Sequence, residues 1–182
     1  MGKPSIPARG MLFCGLLYTQ EDYYWYALRA LVERYGEVLF YSPPLQWNFS
    51  NYYKQELGDD IKRRYLFFDE LIDLDRLAEI KLTTNQIEQI LSIDNKRTVN
   101  IDPGYLTEAK VVLASTKDYS HRIYLKDGIF AEVTLIYKKG NFVPHINTYS
   151  DYCTKSHQFY FHIARQMLKD ELRNAVNGFQ PT

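Results

Sequence analysis

Side chains of the types used in phosphate and proton chemistry are concentrated in one stretch of the sequence, from Asn100 to Glu132. Lysine and arginine pair with phosphate oxygens, while histidine and carboxylates exchange protons near neutral pH. This stretch predicts a site that binds or hydrolyses a phosphate-containing small molecule or a nucleotide. The candidate ligand-binding residues are Lys110, Lys117 and Arg122, and the candidate catalytic residues are His121, Glu132 and Asp102.

In this hypothesis His121 is the acid or base, and Glu132 or Asp102 either orients it or holds a divalent metal. The sequence assigns no set of metal ligands and identifies no cofactor. It contains no G-x-x-x-x-G-K-S/T, no G-x-G-x-x-G and no H-E-x-x-H. The common nucleotide-binding and zinc-protease classes are therefore disfavoured, and the substrate and reaction stay open.

A β-hairpin is the element that would bring two of these residues together. Asp127-Gly128 is a preferred hairpin turn, and it joins strands predicted over 121–125 and 129–137. A two-residue turn would place Glu132 opposite Ile123, whereas a three-residue loop would place it opposite Arg122. In either register the carboxylate lies near His121 or Arg122, directly or diagonally.

The pairing has both a functional and a structural interpretation. A carboxylate beside a histidine raises the histidine pKa and orients the ring, and one beside an arginine fixes the guanidinium for an anion. An exposed Glu–Arg pair on a sheet is also common, and it contributes only about 0 to 1 kcal/mol. The sequence leaves both interpretations open.

A segment rich in aromatic residues supports an alternative function of a different class. Residues 46–60 are predicted to form a long surface loop, and its first part, 46–53, contains Trp47, Phe49, Tyr52 and Tyr53. Trp and Tyr are enriched where proteins bind one another, so the alternative is a non-catalytic protein-interaction module. The same rings could stack on a base or cover the core.

The elements that would position these residues begin in the order strand, helix, strand, strand, helix, strand. This order matches a ferredoxin-like β-α-β-β-α-β unit, in which two helices cover one face of an antiparallel sheet. A C-terminal hairpin and a last helix that ends at Gly178 extend the unit, so the predicted class is α+β. The strands are predicted at 11–18, 38–41, 65–68, 98–101, 111–114, 121–125, 129–137 and 142–143, and the helices at 24–35, 77–91 and 160–176.

Three local patterns have ordinary structural interpretations. Asp102-Pro103-Gly104 is a favoured turn sequence and is predicted to close the strand 98–101. Lys62-Arg63-Arg64 is interpreted as a solvated entry to the next strand. His157 is predicted to lie on the surface of the last helix.

The composition predicts one globular domain over residues 1–182, with 1–10 as a flexible arm. The chain has 182 residues, 46% of them hydrophobic, and 22 basic and 22 acidic side chains balance to a net charge of zero. Zero net charge gives no strong signal for nucleic acid. The sequence has no apolar run of membrane-spanning length, and Cys14 and Cys153 do not suggest a disulfide framework, so a cytoplasmic protein is expected. The oligomeric state is not predicted.

The sequence also resembles a family of uncharacterised bacterial proteins, a domain of unknown function with some members labelled GTP-binding protein. The resemblance places Asp102, Lys117, His121, Arg122 and Glu132 inside family motifs, and it implies no established activity. Members usually read Trp-Thr-Tyr-Pro-Asp-Tyr where this chain has Asn147 to Tyr152, which implies a looser turn here. The matching stretches are 48–53 with Glu56 and Gly58, 70–73, 80–85, 99–106, 117–125 and 128–135.

Overall fold

The computed structural model describes residues 2–177, and within them the chain forms one antiparallel sheet of nine strands with four helices. The strands are β1 (Gly10–Tyr18), β2 (Val38–Tyr41), β3 (Leu45–Gln46), β4 (Lys62–Ile72), β5 (Val99–Leu106), β6 (Lys110–Ser115), β7 (Ile123–Lys126), β8 (Ile129–Lys138) and β9 (Asn141–Pro144). The helices are α1 (Glu21–Tyr35), α2 (Lys54–Leu57), α3 (Leu77–Ile90) and α4 (Lys155–Asn177).

The main path of the sheet runs in the order β2-β4-β1-β5-β6-β8-β7, with β3 paired to β4 and β9 paired to β8. The predicted α+β class with an antiparallel sheet is confirmed. The order β2-β4-β1-β5 at one end of the sheet is compatible with the ferredoxin-like unit, and β6 to β9 extend the sheet beyond it.

Helices cover both faces of the sheet, and β1, at its centre, is therefore buried along its whole length. Leu12 and Leu16 on one face pack with residues of α1 and α3, such as Leu31 and Ile80. The opposite face carries Phe13, which packs against α4. Successive residues of a strand point to opposite faces, so one apolar strand supplies both cores.

The prediction of a turn at Asp102-Pro103-Gly104 is wrong, because β5 runs through these residues. Pro103 lies opposite Cys14 of β1, and pairing of β5 with β6 begins only at Gly104. The proline nitrogen is on the side of β5 that has no partner strand at this point. The missing N–H therefore removes no hydrogen bond from the sheet.

The segment 46–60 is also not a plain surface loop. It contains the end of β3 and the short helix α2, and Trp47 and Leu57 are buried against Leu17 and Ile61. Burial of the large indole ring fixes the segment to the rest of the domain. The aromatic residues that follow Trp47 are thereby held over one end of the sheet.

Three further predictions about the terminal regions of the chain are corrected or fall outside the described residues. Gly10 belongs to β1 rather than to the N-terminal arm, and residues 2–9 are exposed. His157 near the start of α4 is buried rather than exposed, and its Nδ1 is hydrogen bonded to the Tyr65 hydroxyl at 2.9 Å. The predicted helix end at Gly178 lies outside the described residues.

Between residues 2 and 177, no helix is long and apolar enough to cross a membrane.

Candidate functional site

A gap in the sheet between β5 and β6 forms the candidate site. The two strands pair only where Gly104–Leu106 lies beside Val111–Leu113, and then they separate. Gly104 stands at the last pair, where a Cβ atom would lie 2.4 Å from the carbonyl oxygen of Val112. Only glycine permits this approach. Beyond it, the facing sides of β5 and β6 border an open cleft.

Helix α3 replaces the missing strand along β5. The backbone N–H of Ile101 donates to Glu88 Oε1 at 2.6 Å, and the Lys81 ammonium donates to the Ile101 carbonyl at 2.8 Å. Lys81 and Glu88 are seven residues apart, so two helical turns bring both to one face of α3. Burial raises the pKa of Glu88, although nearby Lys81 acts in the opposite direction. Both backbone groups are thus satisfied without a strand.

The cleft has a volume of about 230 Å³ and a charged, aromatic lining. Its cations are Lys81, Arg97 and Lys117, its carboxylates are Glu88 and Asp102, and its aromatic rings belong to Tyr52, Tyr53 and Tyr149. Side chains of Asn85, Asn100, Ser115 and Thr116 complete the polar part of the lining.

The aromatic segment forms one wall of this cleft and contacts cations of the other walls. The Lys117 ammonium lies 4.4 Å from the centroid of the Tyr52 ring, and the Arg97 guanidinium carbon lies 5.7 Å from that of Tyr53. Arg97 also pairs with Glu56 of α2. The two features that suggested competing functions therefore contribute to a single cleft.

Asp102 contributes a carboxylate with one oxygen directed to protein donors and one less engaged. Its Oδ2 accepts from the Asn100 amide at 2.9 Å and from the Arg63 guanidinium at 3.4 Å. Its Oδ1 is 3.7 Å from the Lys81 ammonium. The side chain of Asp102 is 24% exposed and lines the cleft, so its carboxylate can accept a hydrogen bond from a donor group of a ligand.

Arg63 contacts Asp102 from the buried side of the cleft lining. The prediction that Arg63 is solvated is wrong. Its side chain is only 4% exposed and pairs with Asp151 at 2.9 Å, and Asp151 also accepts from the Trp47 indole at 3.1 Å. Gly15 gives the guanidinium room, since a Cβ there would lie 2.7 Å from it. Burial acts to lower the pKa of Arg63, but Asp151 and other neighbours raise it well above its ordinary value.

The predicted contact of Glu132 with His121 and Arg122 is present. Lys126 pairs with Ile129 across the two-residue turn, and a bulge between Tyr124 and Lys126 then shifts the register. Ile123 therefore lies opposite Ala131, which is the pairing expected for the three-residue loop. Glu132 Oε2 accepts from Arg122 Nε at 2.8 Å and lies 3.1 Å from His121 Nε2. The Arg122 and Glu132 side chains are 2% and 3% exposed, so this is a buried pair rather than a surface pair.

Three of the other four N–H groups of Arg122 donate to groups that line the cleft. Its guanidinium donates to the Ser115 hydroxyl, to the Lys117 carbonyl at 2.9 Å and to the Tyr149 hydroxyl at 2.8 Å. Four of its five N–H groups thus have protein partners. Hydrogen bonds to Glu132 and Tyr149 raise the pKa of Arg122, against the opposing effect of burial, which is the largest single influence.

The six predicted site residues are divided between two depressions on either side of Arg122. Asp102 and Lys117 line the cleft. His121, Glu132 and Lys110 line a second depression of about 420 Å³. Arg122 stands in the wall between them and lines neither. The His121 ring is stacked between Tyr119 and His145, at centroid distances of 6.1 and 6.3 Å.

Sequence reasoning missed several residues of the cleft, although some left a signal. Lys81 and Glu88 occupy core-facing positions of α3 together with Thr84, and charges on such a stripe indicate a buried polar contact. Arg63 shares one face of β4 with Tyr65, at strand spacing. Arg97 lies in a loop and left no comparable pattern. In the described part of the chain, no cluster of three or more His, Cys, Asp or Glu is arranged to hold a metal ion.

Together these features define a mixed α/β domain with a charged, aromatic cleft at a gap in its sheet. The chain belongs to the family described as Domain of unknown function (DUF4416), whose model matches residues 8–168. The resemblance to an uncharacterised family is therefore confirmed, and the description of the family names no activity. No curated protein and no solved structure matches the chain.

Proposed function

We propose that the protein binds a phosphate-containing small molecule in the cleft between β5 and β6. The observation that carries this proposal is the position of Lys117. Its ammonium lies over the Tyr52 ring at the cleft and forms no ion pair within the described residues, while Lys81 and Arg97 line the same space. An ammonium without a carboxylate partner is a binding group for an anion.

The charge distribution favours an anion over a cation. The cleft is lined by three cations and two carboxylates, and both carboxylates already have protein partners. Glu88 accepts from Ile101 and pairs with Arg97 at 3.4 Å, and Asp102 accepts from Asn100 and Arg63. A phosphate would therefore meet a positive charge that the protein leaves unmatched.

Binding is favoured over hydrolysis. His121, the proposed acid or base, lies on the far side of Arg122 from Lys117 and does not line the cleft. Asp102 is the proposed catalytic residue that does line the cleft, and its Oδ1 suits a hydrogen bond from a ligand hydroxyl or amine. In this proposal Arg122 is a positioning residue, because it holds the Lys117 backbone and the Tyr149 hydroxyl in the wall.

The alternative function, docking of a protein through the segment 46–53, has weaker support. Trp47 is buried and Tyr53 is largely covered, so they are not free to contact a partner. Tyr52, 58% exposed, is the large aromatic side chain of this segment that is widely accessible. Binding hot spots need a cluster of accessible anchors, which this segment does not offer.

Isothermal titration with inorganic phosphate, pyrophosphate and ribose 5-phosphate tests the proposal. We expect at least one of them to bind the parent, and Lys117→Ala to weaken that binding about tenfold or more, since a charged hydrogen bond contributes roughly 1.5 to 3 kcal/mol. Lys126→Ala is the matched control, because Lys126 is also an exposed lysine and lies on β7. The proposal fails if none of the three binds, or if the two variants bind equally well.

A further inference from the structure

The volume of the cleft exceeds what a phosphate group alone would fill. About 230 Å³ corresponds to roughly seven or eight waters at about 30 Å³ each. Inorganic phosphate has five non-hydrogen atoms. A phosphate bound at Lys117 would therefore leave space along the cleft toward Asn85 and Asp102, and a ligand of matching size carries a second chemical group.

The ring of Tyr52 offers a flat surface for that second group. Tyr52 is 58% exposed, and the adjacent Tyr53 ring meets it edge-on, with centroids 5.0 Å apart and an interplanar angle of 88°. In the free protein the Lys117 ammonium occupies the face of Tyr52. A face that attracts a cation also stacks with a planar heterocycle, whatever the base.

Polar groups beside the rings suit the edge of a nitrogen heterocycle. The Asn85 side chain lines the cleft and makes no hydrogen bond to another described residue, so its amide can both donate and accept. The Asp102 carboxylate, whose Oδ1 lies 3.7 Å from the Lys81 ammonium, supplies a second acceptor. Asparagine is a side chain that reads base edges through this donor and acceptor pair.

We infer that the ligand is a phosphate ester of a planar nitrogen heterocycle, as in a nucleoside monophosphate, with the ring stacked on Tyr52 and the phosphate bound by Lys117. This inference rests on the proposed function of the cleft. On binding, the heterocycle replaces the Lys117 ammonium on the Tyr52 face, and the ammonium moves to the phosphate. Lys117 and Tyr52 thus recognise different halves of one ligand.

Titration with a dissected ligand tests this division of roles. The probes are the four common nucleoside monophosphates, the four corresponding nucleosides and ribose 5-phosphate. We expect at least one nucleoside monophosphate to bind the parent about 5- to 150-fold more tightly than ribose 5-phosphate, which is the range that stacking on an aromatic side chain contributes. Tyr52→Leu should remove this advantage and leave ribose 5-phosphate binding unchanged, whereas Tyr52→Phe should keep it.

Two control variants distinguish stacking on the Tyr52 ring from general effects of a substitution. Tyr124→Leu is the matched control, because Tyr124 is 59% exposed and lies on β7. It should bind every probe as the parent does. Lys117→Ala should lose affinity for the nucleotide but not for the matching nucleoside, since it frees the face of Tyr52.

The outcomes distinguish this inference from the proposed function. If ribose 5-phosphate binds as tightly as every nucleoside monophosphate, or if Tyr52→Leu and Tyr124→Leu bind the nucleotides equally well, the ring inference is overturned and phosphate binding stands. If no nucleoside monophosphate binds the parent but inorganic phosphate, pyrophosphate or ribose 5-phosphate does, the ring inference alone is overturned. If none of these phosphate compounds binds the parent, both proposals are overturned.

Discussion

Arg122 donates through Nε to Glu132 at 2.8 Å across the β7–β8 hairpin, and both side chains are almost completely buried. The same guanidinium holds the Lys117 carbonyl and the Tyr149 hydroxyl in the wall of the cleft. One arginine therefore links the paired carboxylate on one side of the wall to the binding surface on the other. Its donors are used for structure, so its role in binding is indirect.

This arrangement predicts that Arg122→Met destabilises the protein by about 3 to 5 kcal/mol, because it leaves the Glu132 carboxylate buried without its main partner. Urea denaturation at pH 7.5 measures the change. Arg29→Met is the control, since Arg29 is 83% exposed and its ion pair with Glu33 lies on the surface. That variant should lie within about 0.5 kcal/mol of the parent. Equal stability of the two variants would show that the Arg122 pair behaves like a surface contact.

The hairpin pairing was predictable because it depends on residues close in the sequence. Turn chemistry at Asp127-Gly128 limits the register to two choices, and each places Glu132 beside His121 or Arg122. The gap between β5 and β6 was not predictable in this way. It arises where Gly104 ends the pairing and α3 supplies replacement partners, which depends on how distant elements pack.

The burial of Arg63 could not be predicted either, because it also depends on a distant part of the chain. Its charge is neutralised by Asp151, which is 88 residues further along the chain. A local pattern of three basic residues carries no information about that partner, so a solvated cluster was the natural interpretation. The order of helices and strands along the chain and the apolar faces of the helices follow from periodicity, and they were correspondingly easier to predict.

The close approach of β5 and β6 predicts that Gly104→Ala destabilises the protein. The added Cβ would lie 2.4 Å from the Val112 carbonyl oxygen and 2.6 Å from the Phe13 ring, so either the strands or the ring must shift. Overpacking of this kind costs about 1 to 3 kcal/mol. Thermal melting compares it with Gly2→Ala, where no atom lies within 4 Å. A melting temperature equal to that of Gly2→Ala would mean that the strands separate freely at this point.

The buried histidine of α4 predicts a loss of stability in acid. Burial lowers the pKa of His157 from 6.5 to about 4. Between these values the unfolded chain binds a proton that the folded protein does not, so the free energy of unfolding falls as the pH falls, by up to about 1.4 kcal/mol per pH unit. His157→Gln removes this titration, so it should lose less stability than the parent between pH 7 and pH 4.5.

Urea denaturation across this pH range provides the measurement for His157→Gln. His145→Gln is the control, because His145 is an exposed histidine in the loop after β9. It should retain the steep acid dependence of the parent. A parent-like slope in His157→Gln would mean that other groups cause the acid sensitivity.

The contact between Glu88 and Ile101 predicts a local change in hydrogen exchange. The Ile101 amide faces the open side of β5, where the Glu88 carboxylate accepts its hydrogen bond in place of a strand. Glu88→Ala leaves this amide unpaired beside the cleft, and a lost partner costs about 1 to 3 kcal/mol, or roughly a 5- to 150-fold faster exchange rate. Glu88→Gln should largely preserve protection, because the amide oxygen still accepts. Glu79→Ala, on the exposed side of α3, controls for changes in helix stability and should leave the Ile101 rate unchanged. Unaltered exchange at Ile101 in Glu88→Ala would show that the open edge of β5 is protected by something other than α3.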